Sequence, residues 1–260
     1  MFMRVLKTPT ISFVALLVLA IAPLAAEAQS VANALAMCKA SKIALDKIKY
    51  CSIALEHTSD RISLERLYLR RGNSFMELSR FSEAVKDFSS LIRINPRVAG
   101  YFDNRLVALR GLGLNQEALA DANAEVSLAP DKAFVYRSRG LLLETLQKYD
   151  VALRDFDQGL SINPADNGLV IDRARIKSKM GRTREAINEL TQVITAEPSN
   201  LAAYRERGMA YVAAGDLDGA LSDLSFVART APNDQEVTST LEIIRARNQQ
   251  TSPSAAPSQN

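Results

Sequence analysis

Few residues in this chain are equipped for chemistry. There is one histidine and there are two cysteines in 260 residues, so imidazole acid–base work rests on His57 alone, and most zinc sites lack the donors they need. His57 falls at the end of a helical stretch, where a surface role fits better than general-base work. Cys38 and Cys51 lie symmetrically about the middle of a helix, short turn, helix segment. A disulfide between them would close a loop of about 14 residues, worth roughly 3 kcal/mol in the chain-entropy account. The alternatives are a redox-active pair, which lacks the Cys-x-x-Cys spacing and a neighbouring histidine, and two independent buried thiols. Asp216 and Asp218 are close carboxylates, but they precede a helix, where aspartate favours the helix start. No glycine-rich phosphate loop, nucleophile elbow or metal-ligand spacing occurs. The expectation is a non-enzyme without cofactor or metal.

The elements that must carry these residues are helices. Glycine and proline supply 11 and 9 of 260 residues, which excludes collagen and Pro/Gly-rich disorder and disfavours a turn-rich β-sandwich. Hydrophobic residues make 47% of the chain, yet aromatics make only 6% and tryptophan is absent. The core must therefore be Ala, Leu, Ile and Val, the material of packed helices. A net charge of +3 is too small to argue for nucleic acid or an anionic membrane surface as partner.

Residues 1–28 have the pattern of an export signal: Arg4 and Lys7, an uncharged apolar run from Ile11 to Ala22, then small residues at Ala26 and Ala28. Pro23 and Glu27 cut the run short of the roughly 20 apolar residues a membrane anchor needs. Cleavage after Ala28 is expected, with a periplasmic mature protein that has no membrane span. That compartment would let a Cys38–Cys51 disulfide persist.

An internal repeat organises the rest. Pro96, Pro130, Pro164, Pro198 and Pro232 recur every 34 residues. In units counted from Glu65, position twenty holds Ala84, Ala118, Ala152, Ala186 and Ala220, and position eight holds Gly72, Leu106, Gly140, Ala174 and Gly208. Each unit reads as two amphipathic helices of about 14 residues, brought close by the small residues and separated from the next unit by the proline.

This pattern resembles the tetratricopeptide repeat family: Tyr68, Gly72, Phe75, Ala84, Phe88 and Pro96 match its signature, as do Tyr204, Gly208, Tyr211, Ala220 and Pro232. Leu106, Glu125 and Gly159 depart from it. The resemblance implies an all-α, right-handed superhelical solenoid of antiparallel helix pairs, with units at 65–98, 99–132, 133–166, 167–200 and 201–234. A degenerate hairpin at 29–64 precedes them; a capping helix at 235–250 and a disordered tail at 251–260 follow. Position seven, usually apolar in the family, is Arg71, Arg105, Arg139, Arg173 and Arg207; sixteen residues on stand Asp87, Asp121, Asp155, Glu189 and Asp223. These ladders are expected to pair within or between units, since a guanidinium facing the partner helix needs a carboxylate. A charged recognition surface is the alternative.

In this family the first helices line a concave groove. The resemblance assigns to that groove the basic Arg66, Arg110, Arg137, Arg175 and Arg205, the acidic Asp103 and Glu144, and the apolar Leu69, Met76, Phe134, Leu141, Ile171 and Met209. Asn73, Asn104 and Arg137 match three positions of a five-residue carboxylate clamp known in the family, but Leu69 and Leu141 occupy the other two. The excess of arginine predicts a positive face suited to an extended peptide bearing carboxylates. The expected partner is therefore another protein or extended peptide, an acidic one among the candidates, held by an adaptor, scaffold or chaperone-like factor of a bacterial envelope. The alternative is a self-associating structural component.

Overall fold

The computed structural model describes residues 28–251, with side chains to residue 247. The segment expected to be an export signal, apart from Ala28, and the tail from residue 252 lie outside the described residues. Every described element is a helix. They divide into two compact units, one ending at Leu114 and one beginning at Asn115.

The first unit holds α1 (residues 28–40), α2 (Ala44–Glu56), α3 (Arg61–Glu77), α4 (Phe81–Ile94) and α5 (Ala99–Gly111). Cys38 on α1 is bonded to Cys51 on α2, with Cα atoms 5.0 Å apart. Both sit in a small core with Ala34, Ala54 and Leu67. Asp60 caps α3 by accepting from the Ser63 backbone N–H at 2.8 Å. His57 is the exposed C-cap of α2.

The second unit holds α6 (Asn115–Leu128), α7 (Ala133–Thr145), α8 (Tyr149–Ile162), α9 (Asn167–Lys179), α10 (Thr183–Ala196), α11 (Leu201–Ala214), α12 (Leu217–Thr230) and α13 (Gln235–Thr251). Val237, Leu241 and Ile244 of α13 are buried against Leu224 and Val227 of α12. The last helix therefore covers the apolar face that the preceding pair leaves open. It runs through Thr251, one residue beyond the expected end.

Three features recur in register. Small residues permit helix contact: a Cβ on Gly72 would lie 2.6 Å from Cε1 of Phe88, one on Gly140 2.5 Å from Phe156, and one on Gly208 2.6 Å from Leu224. The turn inside each pair places Ser79, Gly113, Gln147, Gly181 and Gly215, each 34 residues after the last, at φ between 56° and 78°. Glycine accepts that left-handed backbone freely; Ser79 and Gln147 carry its strain.

The third feature is the arginine ladder. Arg71 donates Nε and Nη2 to the two Asp87 oxygens at 2.8 and 2.7 Å. Arg139 holds Asp155, and Arg207 holds Asp223, in the same way; Arg173 holds Glu189 at 3.3 and 2.7 Å. The remaining Nη1 reaches back to the preceding helix pair: Arg71 to Ser52, Arg105 to Ser89, Arg139 to Asn123, Arg173 to Asp157 and Arg207 to Thr191. The guanidinium is therefore a stitch between neighbouring pairs as well as within one. The carboxylates Asp87, Asp155 and Asp223 are nearly fully buried, so these pairs are structural in position.

Candidate docking surface on the first helices

The side chains assigned to the groove sit on α3, α5, α7, α9 and α11, the first helices of their pairs. The two units treat them differently.

In the first unit, Arg66, Leu69 and Asn73 line a cleft of ≈ 530 Å³ with Arg70 of α3 and with Leu35 and Lys39 of α1. Positions 66, 70 and 73 are one helical turn apart and share a face of α3. Arg66, Arg70, Asn73 and Lys39 are exposed. Among the described residues none of the three cations is in an ion pair. The Arg70 Nη1 contact to the Lys39 carbonyl, 3.3 Å long, ties the two walls together. Sequence reasoning missed Lys39 and Arg70. The signal for Arg70 was its spacing of four from Arg66; Lys39 lies in the degenerate hairpin, where no repeat register points to it.

Elsewhere in this unit Met76 is half-buried against Phe75 and Phe88. Asp103 and Asn104 are half-buried and Arg110 is exposed. Burial pushes the Asp103 carboxyl above the ordinary aspartate value. Glu65 accepts from the Tyr101 hydroxyl at 3.0 Å, which joins α3 to α5.

In the second unit the expected positive face is corrected. Arg137 donates Nε to Asp172 at 2.6 Å. Arg175 forks onto both Glu144 oxygens at 2.9 and 3.0 Å, reaches Asp172 at 2.8 Å, and stands 3.9 Å from Glu206. Lys179 also binds Glu144, at 2.8 Å. Arg205 pairs with Glu206 at 2.8 Å, Asp234 at 3.0 Å and Glu236. Asp172 and Glu206 stand at unit position six, Asp234 closes the last repeat, and Glu236 lies just beyond it. Counting only the positions pointing most directly into the groove therefore misses the acids that neutralise it. Ile171, expected to be open to a ligand, is 6% exposed and belongs to the core.

The network shifts its members in opposite senses. Burial drives Glu144 upward, but hydrogen bonds from Arg175 and Lys179 outweigh it and hold the carboxyl below the ordinary glutamate value. Burial dominates at Glu206 and raises it, although Arg175 and Arg205 oppose. Arg175, itself partly buried, is held charged by Glu144, Asp172 and Glu206.

Cavities of ≈ 620 and ≈ 360 Å³ nonetheless open on this face. The larger has Arg137, Ile171, Arg175 and Arg205 on its wall, and the smaller has Met209. Leu141 is half-buried in the core of its pair, and Phe134 is 54% exposed at the start of α7. Asp216 is a cap, accepting from the Gly219 N–H at 2.9 Å. Among the described residues no group of three or more His, Cys, Asp or Glu could hold a metal ion.

A family profile described as tetratricopeptide repeat matches residues 69–133 and 171–234. Hsp70-Hsp90 organizing protein 3 of Arabidopsis thaliana is 31% identical over 94 residues, 36% of this chain and 17% of that protein. The match therefore spans well under two thirds of that curated relative. Among solved structures, a thermophilic repeat protein of Thermus thermophilus is 20% identical with a TM-score of 0.58, covering 70% of this chain and 99% of that one. A tetratricopeptide repeat protein of Parabacteroides merdae is 19% identical with a TM-score of 0.54, covering 84% of this chain and 99% of that one. At such identities the structural likeness shows the fold alone.

Proposed function

The chain belongs to the tetratricopeptide repeat family, and on that premise we propose that it is a protein-docking module of a bacterial cell envelope, an adaptor, scaffold or chaperone-like factor that holds a segment of another protein against its first helices. One observation carries this reading: in each unit the first helices line open cavities, of ≈ 530 Å³ on α3 and ≈ 620 Å³ on α7, α9 and α11. These sizes suit side chains of a bound segment. The Arabidopsis relative is called an Hsp70-Hsp90 organizing protein, a name that describes bringing proteins together; docking rather than catalysis is what is carried over.

The envelope assignment draws on the charged, apolar and small-residue sequence of residues 1–28. The Cys38–Cys51 bond supports it, since disulfides persist in oxidising compartments. Among the described residues no helix is long and apolar enough to cross a membrane. Release from the periplasm of a chain beginning at Gln29, read by mass spectrometry, is the expected outcome.

The docking reading is tested with photo-crosslinking side chains placed in cells at Asn73, Val107 or Phe134 on first helices, and at Lys86, Arg154 or Arg184 on second helices. Crosslinks to other proteins should concentrate at the first set. Crosslinks confined to the second set would sink the reading. Self-association is the second reading, favoured by Ile43 and Leu45, which are 62% and 61% exposed at the first hairpin. Sedimentation as a strict monomer at high concentration would end it.

A further inference from the structure

The cleft between α1 and α3 differs in its electrostatics from the first-helix surfaces of α7, α9 and α11, and we propose that it is the subsite that reads an acidic, extended segment of the partner, seating carboxylates on Lys39, Arg66 and Arg70 with one apolar side chain over Leu35 and Leu69. This rests on the docking reading above and names the chemistry it selects.

Three observations carry it. The lining contains three cations, two polar side chains and no carboxylate, whereas the arginines of α7, α9 and α11 are already held by Glu144, Asp172, Glu206 and Asp234. An incoming carboxylate must displace an internal carboxylate there, whereas in the α1–α3 cleft it meets no acid, only the 3.3 Å bond from Arg70 to the Lys39 carbonyl. Arg66 and Arg70 also stand one helical turn apart on one face with no acid between them. Like charges so placed repel, and a ligand carboxylate that bridges them relieves that repulsion. Lastly, Leu35 is 39% exposed and Leu69 half-buried in the same wall, so apolar contact is available beside the charges.

The chain's own outlying segments do not fit. Residues 1–27 and 252–260 together contain a single acidic residue, Glu27, against Arg4 and Lys7. An acidic partner segment is the occupant that charge complementarity selects. Arg presents paired N–H donors to a carboxylate, which favours Asp and Glu side chains over phosphate-free polar sequence of the same length.

The probe is a fluorescein-labelled heptapeptide with four acidic residues around one leucine, compared with its Asn/Gln counterpart by fluorescence anisotropy on the full mature chain. The acidic peptide should bind at least tenfold more tightly, and raising salt should weaken it. The double variant Arg66→Gln, Arg70→Gln should lose at least tenfold, while Arg93→Gln on α4 should not change binding. Because both replaced side chains are exposed, the fold should survive, as circular dichroism will report; should it not, Lys39→Gln alone must lower affinity. Equal binding of the two peptides, or unchanged affinity in the double variant, overturns the proposal. A dimer that excludes the peptide would overturn it too, assigning the cleft to a second copy. Crosslinks still concentrated on first helices would then leave the docking reading standing with a different partner chemistry.

Discussion

Arg139 grips Asp155 with two parallel hydrogen bonds, Nε to Oδ2 at 2.8 Å and Nη2 to Oδ1 at 2.7 Å, and directs its third nitrogen at Asn123, 3.1 Å away on the preceding helix pair. The ring of Tyr136 lies beside the same guanidinium, with its centroid 5.9 Å from Cζ. A position that most sequences of this kind fill with an apolar side chain thus becomes a joint between repeats.

Removing the arginine should cost more than the pair is worth. Asp155 is only 4% exposed, and Arg139→Met leaves its charge buried without the fork. A loss of about 3 kcal/mol is expected in urea denaturation. Adding Asp155→Leu should recover most of it, because an apolar pair removes the stranded charge. An unchanged midpoint in the single variant would mean that the ladder does not hold the repeats together.

Gly140 and Phe156 should be coupled. A methyl at position 140 would lie 2.5 Å from the ring, and overpacking of that kind costs about 1–3 kcal/mol, partly offset by roughly 1 kcal/mol of helix propensity gained over glycine. The fourth repeat shows the alternative solution, with Ala174 and Leu190 buried in one cluster. Gly140→Ala with Phe156→Leu should therefore be more stable than the two single effects predict, by about 1 kcal/mol in a double-mutant cycle. Strict additivity would contradict the close approach.

The two glutamates of the second unit should respond oppositely to pH. Glu144 lies below the ordinary glutamate value of 4.5, so its contribution is complete above that value and disappears as pH falls through its own lower one. Glu206 is raised, so its ionisation reduces stability as pH climbs from 4.5 through its own higher value. Relative to the parent protein, Glu144→Gln should lose melting temperature as pH rises from 3 to 7, while Glu206→Gln should gain. Parallel profiles would show that the network does not bias the two groups.

Reduction should loosen the first hairpin. Cys38 and Cys51 are 13 residues apart in sequence, and a loop of that size corresponds to about 3 kcal/mol in the chain-entropy account. Since α1 forms one wall of the α1–α3 cleft, hydrogen exchange in residues 28–40 should speed up on reduction while α9 to α12 remain protected. Equal protection of α1 in both redox states would make the bond dispensable.

Much of this architecture is legible without coordinates because its determinants are local and repeated. Prolines every 34 residues, alanine at position twenty and, in every unit but the one with Leu106, glycine or alanine at position eight encode where helices stop and how near they come. The acid sixteen residues after each ladder arginine is likewise readable, since one helix, one turn and a return fix that separation. Arg139 reaching Asn123 is not readable, because that contact depends on how one pair stacks on the previous one.

The candidate surface shows the same division. Residue types and periodicity alone establish an all-helical repeat protein and the set of arginines on its first helices. Only tertiary packing decided which arginines remain available, because charge at a surface depends on what neighbouring elements bring within about 4 Å. Asp172 quenches Arg137, Glu206 stands near Arg175, and Asp234 and Glu236 quench Arg205, each across helices thirty or so residues apart in sequence, while nothing acidic lines the cleft beside Arg66 and Arg70.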